Sequence, residues 1–171
     1  ALQAIGTAAS PGDATVEAIL SLNTAIAFFQ ANNLNASELL EARAQLADCL
    51  GKVVDGAEGN DILASGVGYD ELFGGTGNDY LFGNQGNDTI AGGQGNDTIA
   101  GGKDEDLLLG GQGDDNLSGD VGNDQIFGNR ENDTLLGGEG NDSLYGGQGN
   151  DNIFGGQGND FISGGQDNDF L

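Results

Sequence analysis

The chain has 171 residues, of which 28 are acidic and four are basic, so its formal net charge at pH 7 is −24. Nucleic acid and anionic membrane surfaces are not expected partners, because each requires a basic patch, and no apolar run approaches the roughly 20 residues that span a bilayer. The absence of histidine excludes a Ser-His-Asp triad, a Cys-His pair and an HExxH zinc site, and no other catalytic constellation is visible, so an enzymatic function is not predicted.

Glycine composition divides the chain near residue 55. Residues 1–54 hold three of the 34 glycines, and residues 56–171 hold the other 31. This change predicts two domains, one over residues 1–55 and the other over residues 56–171.

Residues 1–55 predict an α-helical hairpin that acts as a cap or an assembly segment. Ser10 provides a helix start signal, and apolar residues then recur at helical spacing over residues 16–29. Asn35 provides a second start signal before an apolar stripe over residues 39–53. Two helices this short cannot bury their apolar stripes alone, so they are expected to pack on each other and on something more.

From Gly56 onward the sequence repeats every nine residues, in twelve complete units and a thirteenth that ends at its eighth position. We number the units one to thirteen and the positions one to nine. Position one is glycine in every unit except unit two, which has Ser65, and position eight is always Leu or Ile. Position six is always aspartate: Asp61, Asp70, Asp79, Asp88, Asp97, Asp106, Asp115, Asp124, Asp133, Asp142, Asp151, Asp160 and Asp169.

This period predicts a coil of 18 residues built from two units. A three-residue strand directs only its middle side chain, the Leu or Ile, into a shared interior. Glycines at positions one, two and four allow the chain to turn before that strand. Successive coils then stack as parallel sheets about 4.8 Å apart. The predicted fold class is mainly β: a right-handed parallel β-roll with two short strands per coil, preceded by the N-terminal α-helical hairpin.

Stacked coils place the aspartates of units n and n+2 one above the other, where carboxylates about 5 Å apart would repel each other. A divalent cation between them reverses this effect. Ca²⁺ accepts six to eight oxygen ligands in flexible geometry, including carboxylates and carbonyls, whereas the repeats offer no nitrogen or sulfur ligand for zinc, copper or nickel. The thirteen units form eleven such pairs, so up to about 11 Ca²⁺ ions are predicted.

The repeats resemble the RTX calcium-binding β-roll family, whose nonapeptide GGxGxDxUx is matched by GGTGNDYLF at residues 74–82 and GGQGNDTIA at residues 92–100. The resemblance covers residues 56–171. It implies that each calcium ion lies between two turns on the same edge and binds both aspartates. The carbonyls at positions two and four of one turn, and at positions one and three of the next, would complete the site.

One site of this kind would combine Gly75, Gly77 and Asp79 with Gly92, Gln94 and Asp97. The implied scheme also assigns carbonyl ligands to Gly93, Gly95, Gly110, Gly111, Gln112, Gly113, Gly138, Gly140, Gly147, Gly149, Gly155, Gly156 and Gly158. Asp104, Glu131 and Asp167 depart from the glycine at position four, so these turns are either strained or supply an extra carboxylate ligand.

The resemblance further implies a secreted or cell-surface protein that leaves the cell by type I secretion and folds outside on binding calcium. We interpret it first as a structural or interaction module. Position nine carries an apolar set that either supports self-association or packs under the hairpin. The set is Phe73, Phe82, Leu109, Phe127, Leu136, Tyr145 and Phe154.

Leu171 ends in mid-unit, so either the chain continues or subunits stack end to end into a filament. A second interpretation is the non-catalytic RTX portion of a larger secreted enzyme or toxin. A third is an adhesin or ice-binding surface, which the asparagines at position five favour. Long charged side chains at position three argue against it, and those asparagines are also explained as turn residues with positive φ.

Overall fold

A computed structural model of the chain describes residues 51–171. The predicted helical hairpin lies outside the described residues, except for its last five positions. The described part contains thirteen β-strands. They are β1 Val53–Asp55, β2 Ile62–Val67, β3 Glu71–Thr76, β4 Tyr80–Gln85, β5 Thr89–Gln94, β6 Thr98–Lys103, β7 Leu107–Gln112, β8 Asn116–Val121, β9 Gln125–Arg130, β10 Thr134–Glu139, β11 Ser143–Gln148, β12 Asn152–Gln157 and β13 Phe161–Gln166.

The strands form two parallel sheets. Odd-numbered strands make a seven-stranded sheet and even-numbered strands make a six-stranded sheet, each in chain order. Paired residues are 18 positions apart, as in Leu72 with Ile90. Turns of odd-numbered units therefore stack along one edge, and turns of even-numbered units along the other. The predicted parallel β-solenoid with two strands per 18-residue coil is confirmed.

Each strand after β1 is six residues long, twice the expected length, and runs from position seven to position three of the next unit. The reason is that the glycines at positions one and two do not interrupt the ladder. In β3 the pairing with β5 continues through Gly75 and Thr76, which lie opposite Gly93 and Gln94. The true turn is thus confined to positions four to six.

The core is a single file of aliphatic side chains from position eight, alternating between the two sheets. Ten of them are 0–1% exposed: Leu72, Leu81, Ile90, Ile99, Leu108, Leu117, Ile126, Leu135, Leu144 and Ile153. Because side chains alternate along a strand, position one, two residues later, faces the same interior. Val54, Leu63 and Ile162 pack on this core from its ends.

The solenoid begins earlier than the composition break indicates. The compact unit starts at Gly51, and β1 pairs with β3 so that Val54 lies opposite Leu72. Val53 was predicted in a helical stripe, but it lies in β1 and is 69% exposed. Residues 52–55 occupy positions six to nine of a preceding half-unit. Lys52 at the aspartate position conceals it in the sequence, although Val54 at position eight is a usable signal.

Residues 51–171 contain no helix that is long and apolar enough to cross a membrane.

Candidate metal sites between stacked turns

The position-six aspartates point into the solenoid rather than into solvent. Ten of them are no more than 3% exposed: Asp70, Asp79, Asp88, Asp97, Asp106, Asp115, Asp124, Asp133, Asp142 and Asp151. Position six lies two residues before position eight, so both side chains face the interior. Buried carboxylates are rare unless they are paired or bind a metal, so this arrangement requires compensation.

In the position-six aspartates from Asp70 onward, one carboxylate oxygen is satisfied by the neighbouring coil. The backbone N–H of each aspartate in units one to eleven donates to Oδ1 of the aspartate 18 residues later, as in the 2.8 Å bond from Asp97 to Asp115. These bonds form two ladders, one along each edge of the solenoid. One ladder begins at Lys52, whose backbone N–H donates to Asp70 Oδ1 at 2.6 Å. These bonds draw each Oδ1 toward the unit below it.

The other carboxylate oxygen has no such partner. In eleven aspartates Oδ2 is buried and accepts no hydrogen bond from residues 51–171. They are Asp61, Asp70, Asp79, Asp88, Asp97, Asp106, Asp115, Asp124, Asp133, Asp142 and Asp151. A buried acceptor without a donor costs about 1–3 kcal/mol, and more when it is charged. These are the aspartates of units one to eleven, each of which has another unit stacked above it.

Burial raises the pKa of eight of these carboxyl groups. It reaches about 6 for Asp88, Asp97 and Asp124, about 7 for Asp106 and Asp115, and about 8 for Asp133. The pKa values of Asp142 and Asp151 are also raised by burial. The backbone N–H bond to Oδ1 lowers each pKa, and neighbouring aspartates of the ladder raise it further. Without a cation, these aspartates therefore bind protons more tightly in the folded chain than in the unfolded chain.

Each Oδ2 borders a small space that we call the cradle. In unit three, a Cβ added to Gly74 would collide with Asp79 Oδ2 and would stand 2.6 Å from the carbonyl oxygen of Gly92 in unit five. Glycines at position one have no φ in the left-handed region, so a larger residue is excluded by lack of room. The cradle is thus lined by a carboxylate oxygen of one unit and a carbonyl oxygen of the unit above.

The six groups assigned to one predicted site face the same gap, between units three and five. Asp79 Oδ2 and Gly92 O line the cradle, and Gln94 O accepts the backbone N–H of Gly77 at 2.7 Å. Asp97 Oδ1 accepts the backbone N–H of Asp79 at 2.8 Å. The carbonyls of Gly75 and Gly77 also face unit five, because a Cβ on the glycines above them would collide with these oxygens.

Positions two and four of the predicted ligand set share one backbone conformation, with φ between 103° and 141°. This set is Gly75, Gly77, Gly93, Gly95, Gly111, Gly113, Gly138, Gly140, Gly147, Gly149, Gly156 and Gly158. Gly92, Gly110 and Gly155 are position-one glycines beside Oδ2 of Asp97, Asp115 and Asp160. Gln112 lies at position three and accepts the N–H of Gly95 at 2.7 Å.

These carboxylate and carbonyl oxygens are suitable ligands for a hard cation. No three His, Cys, Asp or Glu side chains within residues 51–171 come close enough to hold a metal by themselves. A cation in a gap would therefore depend on two aspartates and on backbone carbonyls. Ca²⁺ accepts such mixed sets of oxygens.

The family model for the RTX calcium-binding nonapeptide repeat matches residues 55–90, 73–108, 82–117, 100–135 and 136–171. The chain belongs to the RTX calcium-binding repeat family. No curated protein matches the chain. The repeats of this family bind Ca²⁺ in a structural domain.

The RTX turns also carry an outer ladder that the sequence did not reveal. The side-chain oxygen at position five accepts the backbone N–H of position five two units later, as from Asn96 to Asn78 at 2.9 Å. The explanation of these asparagines by positive φ is wrong, because in residues 51–171 only Asn84 and Asn129, at position two, combine asparagine with positive φ. Their regular 18-residue recurrence was the available signal.

The acids at position four keep a positive φ, although it is smaller than that of the glycines at this position. Asp104, Glu131 and Asp167 have φ of 76°, 68° and 78°, and all three are exposed. Asp104 Oδ2 accepts the backbone N–H of Gly86 at 3.2 Å, and Glu131 Oε2 accepts that of Gly113 at 3.0 Å. These RTX turns keep the fold of the others, and two of the added carboxylates bond to the turn below on its exposed side.

Proposed function

We propose that this RTX solenoid folds on binding Ca²⁺ and serves outside the cell as a structural or interaction module. The observation that carries the proposal is the row of eleven buried Oδ2 atoms without a hydrogen-bond partner in the described residues. A cation beside such an oxygen would replace an unfavourable buried charge with a ligand bond. Binding energy would then contribute directly to folding.

The ligands would be the aspartates of units n and n+2 with the carbonyls that face the same gap. Up to about 11 divalent ions would supply at most about 22 positive charges against a formal net charge of −24. Calcium when bound supplies this neutralisation. The residues themselves hold the oxygens in place, through the N–H bond to Oδ1 and the positive φ at positions two and four.

An extracellular location agrees with the ligand chemistry. Two carboxylates per ion, with neutral carbonyls for the rest, form a ligand set of low charge, and ligand charge is one determinant of calcium affinity. Extracellular calcium modules bind with dissociation constants of about 10⁻⁴–10⁻³ M. Such sites would remain empty inside a cell and fill outside it. Family members are typically exported by type I secretion, and we propose the same route here.

Aromatic rings on the outer faces support an interaction role; Phe127 and Tyr145 are half-buried, and Phe154, Phe161 and Phe170 are exposed. Phe127 and Tyr145 stack at 4.8 Å between ring centroids, and Phe161 continues this row at 5.5 Å from Tyr145. Phe154 and Phe170 form a second contact at 5.7 Å on the other sheet. Rows of exposed aromatic side chains are typical of interaction surfaces, and we propose that they mediate self-association.

The test is circular dichroism and analytical ultracentrifugation of the full chain in EGTA, in 10 mM Ca²⁺ and in 10 mM Mg²⁺. We expect β-structure to form cooperatively with Ca²⁺ and not with Mg²⁺, and sedimentation to show a compact species that associates as concentration rises. A spectrum that does not depend on calcium would contradict coupled folding. A monomer at all concentrations would contradict only the self-association.

A further inference from the structure

Unit two departs from the repeat at the residue that borders the cradle. Ser65 stands at position one, where every other unit has glycine. In the neighbouring units a Cβ at this position would meet Oδ2 of the same unit and the position-one carbonyl of the unit above. Ser65 has that Cβ, so its side chain enters the space that the other units leave open.

The hydroxyl of Ser65 makes a specific contact there. Its Oγ donates a hydrogen bond of 2.6 Å to the carbonyl oxygen of Gly83 in unit four. In the other gaps, as at Gly92 above Gly74, the equivalent carbonyl faces the cradle. The serine therefore satisfies a carbonyl that elsewhere is available to a cation.

The hydroxyl of Ser65 does not donate a hydrogen bond to the aspartate of unit two. Asp70 is 1% exposed, and its Oδ2 has no hydrogen-bond partner among residues 51–171. Its Oδ1 accepts the backbone N–H of Lys52, as the ladder requires. Ser65 thus fills the cradle without replacing the charge compensation that a cation would provide.

We infer that Ser65 blocks the calcium site between units two and four, so that this gap does not take the ion that the other gaps take. The inference rests on the proposed binding of calcium in the gaps. A hydroxyl group that holds the Gly83 carbonyl, together with the Cβ that carries it, leaves no room for an ion beside Asp70 Oδ2. The blocked gap lies at the N-terminal end of the described solenoid.

Native mass spectrometry of the full chain and of matched variants tests this inference, because it counts the ions that each protein binds at saturating calcium. Ser65→Gly opens the cradle and should bind one ion more than the natural chain. Gly74→Ser places the same side chain in the gap between units three and five and should bind one ion fewer. Ser163→Gly changes a serine at position nine, outside every cradle, and should leave the number unchanged.

Circular dichroism at saturating calcium establishes that each variant is folded. If Gly74→Ser does not fold, the numbers of ions bound by Ser65→Gly and by Ser163→Gly are sufficient to test the inference. The same number of ions in Ser65→Gly and in the natural chain, or a smaller number, would overturn the inference, the latter because the hydroxyl would then be a ligand. A natural chain that binds no calcium would instead overturn the proposed function.

Discussion

The two carboxylate oxygens of an interior position-six aspartate face different neighbouring coils, one below it and one above it. Asp115 Oδ1 accepts the N–H of Asp97 in the unit below, while Oδ2 lies beside the cradle of Gly110 and faces the carbonyl of Gly128 in the unit above. One interior aspartate therefore borders two gaps. This division explains why aspartate occurs in all thirteen units, since neither asparagine nor glutamate offers two acceptor oxygens at this distance from the backbone.

Asp115→Asn should remove two calcium ions, because it alters a ligand of two gaps. For dissociation constants of 10⁻⁴–10⁻³ M, each lost site lowers the free energy of unfolding in 10 mM Ca²⁺ by about 1.4–2.7 kcal/mol. Urea unfolding at that calcium concentration measures the loss.

Asp114→Asn is the matched control for Asp115→Asn. Asp114 is exposed at position five, and its Oδ1 accepts the backbone N–H of Asn132 at 2.9 Å, a bond that asparagine also forms. The two variants carry the same charge change. Equal losses of stability would contradict the assignment of Asp115 to the gaps and would indicate a general charge effect.

Each turn depends on glycine for two different reasons. Positions two and four, apart from Gly66 in unit two, take positive φ, where a side chain strains the backbone. Position one has ordinary φ but no room for a Cβ beside Oδ2. Strands of six residues bring these positions into register with the coils above and below, so a substitution affects the neighbouring coil as well as its own turn.

Alanine substitutions at Gly59 and Gly95 distinguish the cost of backbone strain from the cost of crowding by a neighbouring coil. Both lie at position four, with φ of 116° and 117°. No atom of residues 51–171 lies within 4 Å of a Cβ added to Gly59, whereas one added to Gly95 would collide with the carbonyl of Gly77. Gly59→Ala should cost about 1–2 kcal/mol of stability, and Gly95→Ala about 1–3 kcal/mol more.

Urea unfolding of both alanine variants at saturating calcium provides the comparison. Equal losses would show that the coils do not approach each other as closely as the 18-residue register requires. A smaller loss in Gly95→Ala than in Gly59→Ala would have the same meaning.

Across the whole molecule, the aspartates form two buried files of like charge, one along each edge. Because desolvation is the main cause of the raised pKa of eight of these aspartates, the metal-free solenoid binds protons more tightly than the unfolded chain does. In the unfolded chain an aspartate has a pKa of about 3.9. The stability contributed by protonation is therefore complete below about pH 4 and is lost as the pH rises through about 6 to 8.

In EGTA, lowering the pH from 8 to 4.5 should consequently increase the β-structure of the chain. Far-UV circular dichroism during this titration is the measurement. A spectrum that stays disordered at pH 4.5, or a loss of β-structure on acidification, would contradict the prediction. With saturating calcium at pH 8 the β-structure should already be complete, and acidification should release calcium because protons compete for the same carboxylates.

The nine-residue period was enough to predict the parallel solenoid, its 18-residue coil and the single aliphatic file at position eight. The reason is that each unit contacts only its neighbours, so one local pattern repeated thirteen times determines the architecture. The constant aspartate likewise predicted oxygen-only cation sites. The same reasoning did not find the half-unit at Lys52, where lysine replaces the aspartate, or the asparagine ladder, because the period does not show that the side-chain oxygen at position five turns toward a backbone N–H of the next coil.

Only the tertiary structure decided how each group is used. Sequence spacing places Asp79 and Gly92 near one edge, but stacking brings Oδ2 of the one and the carbonyl of the other to the same cradle. In the sequence Ser65 is a minor irregularity, yet in the fold it donates its hydroxyl to the Gly83 carbonyl. A repeat encodes which residues meet, whereas the orientation of each oxygen follows from the close packing of one coil on the next.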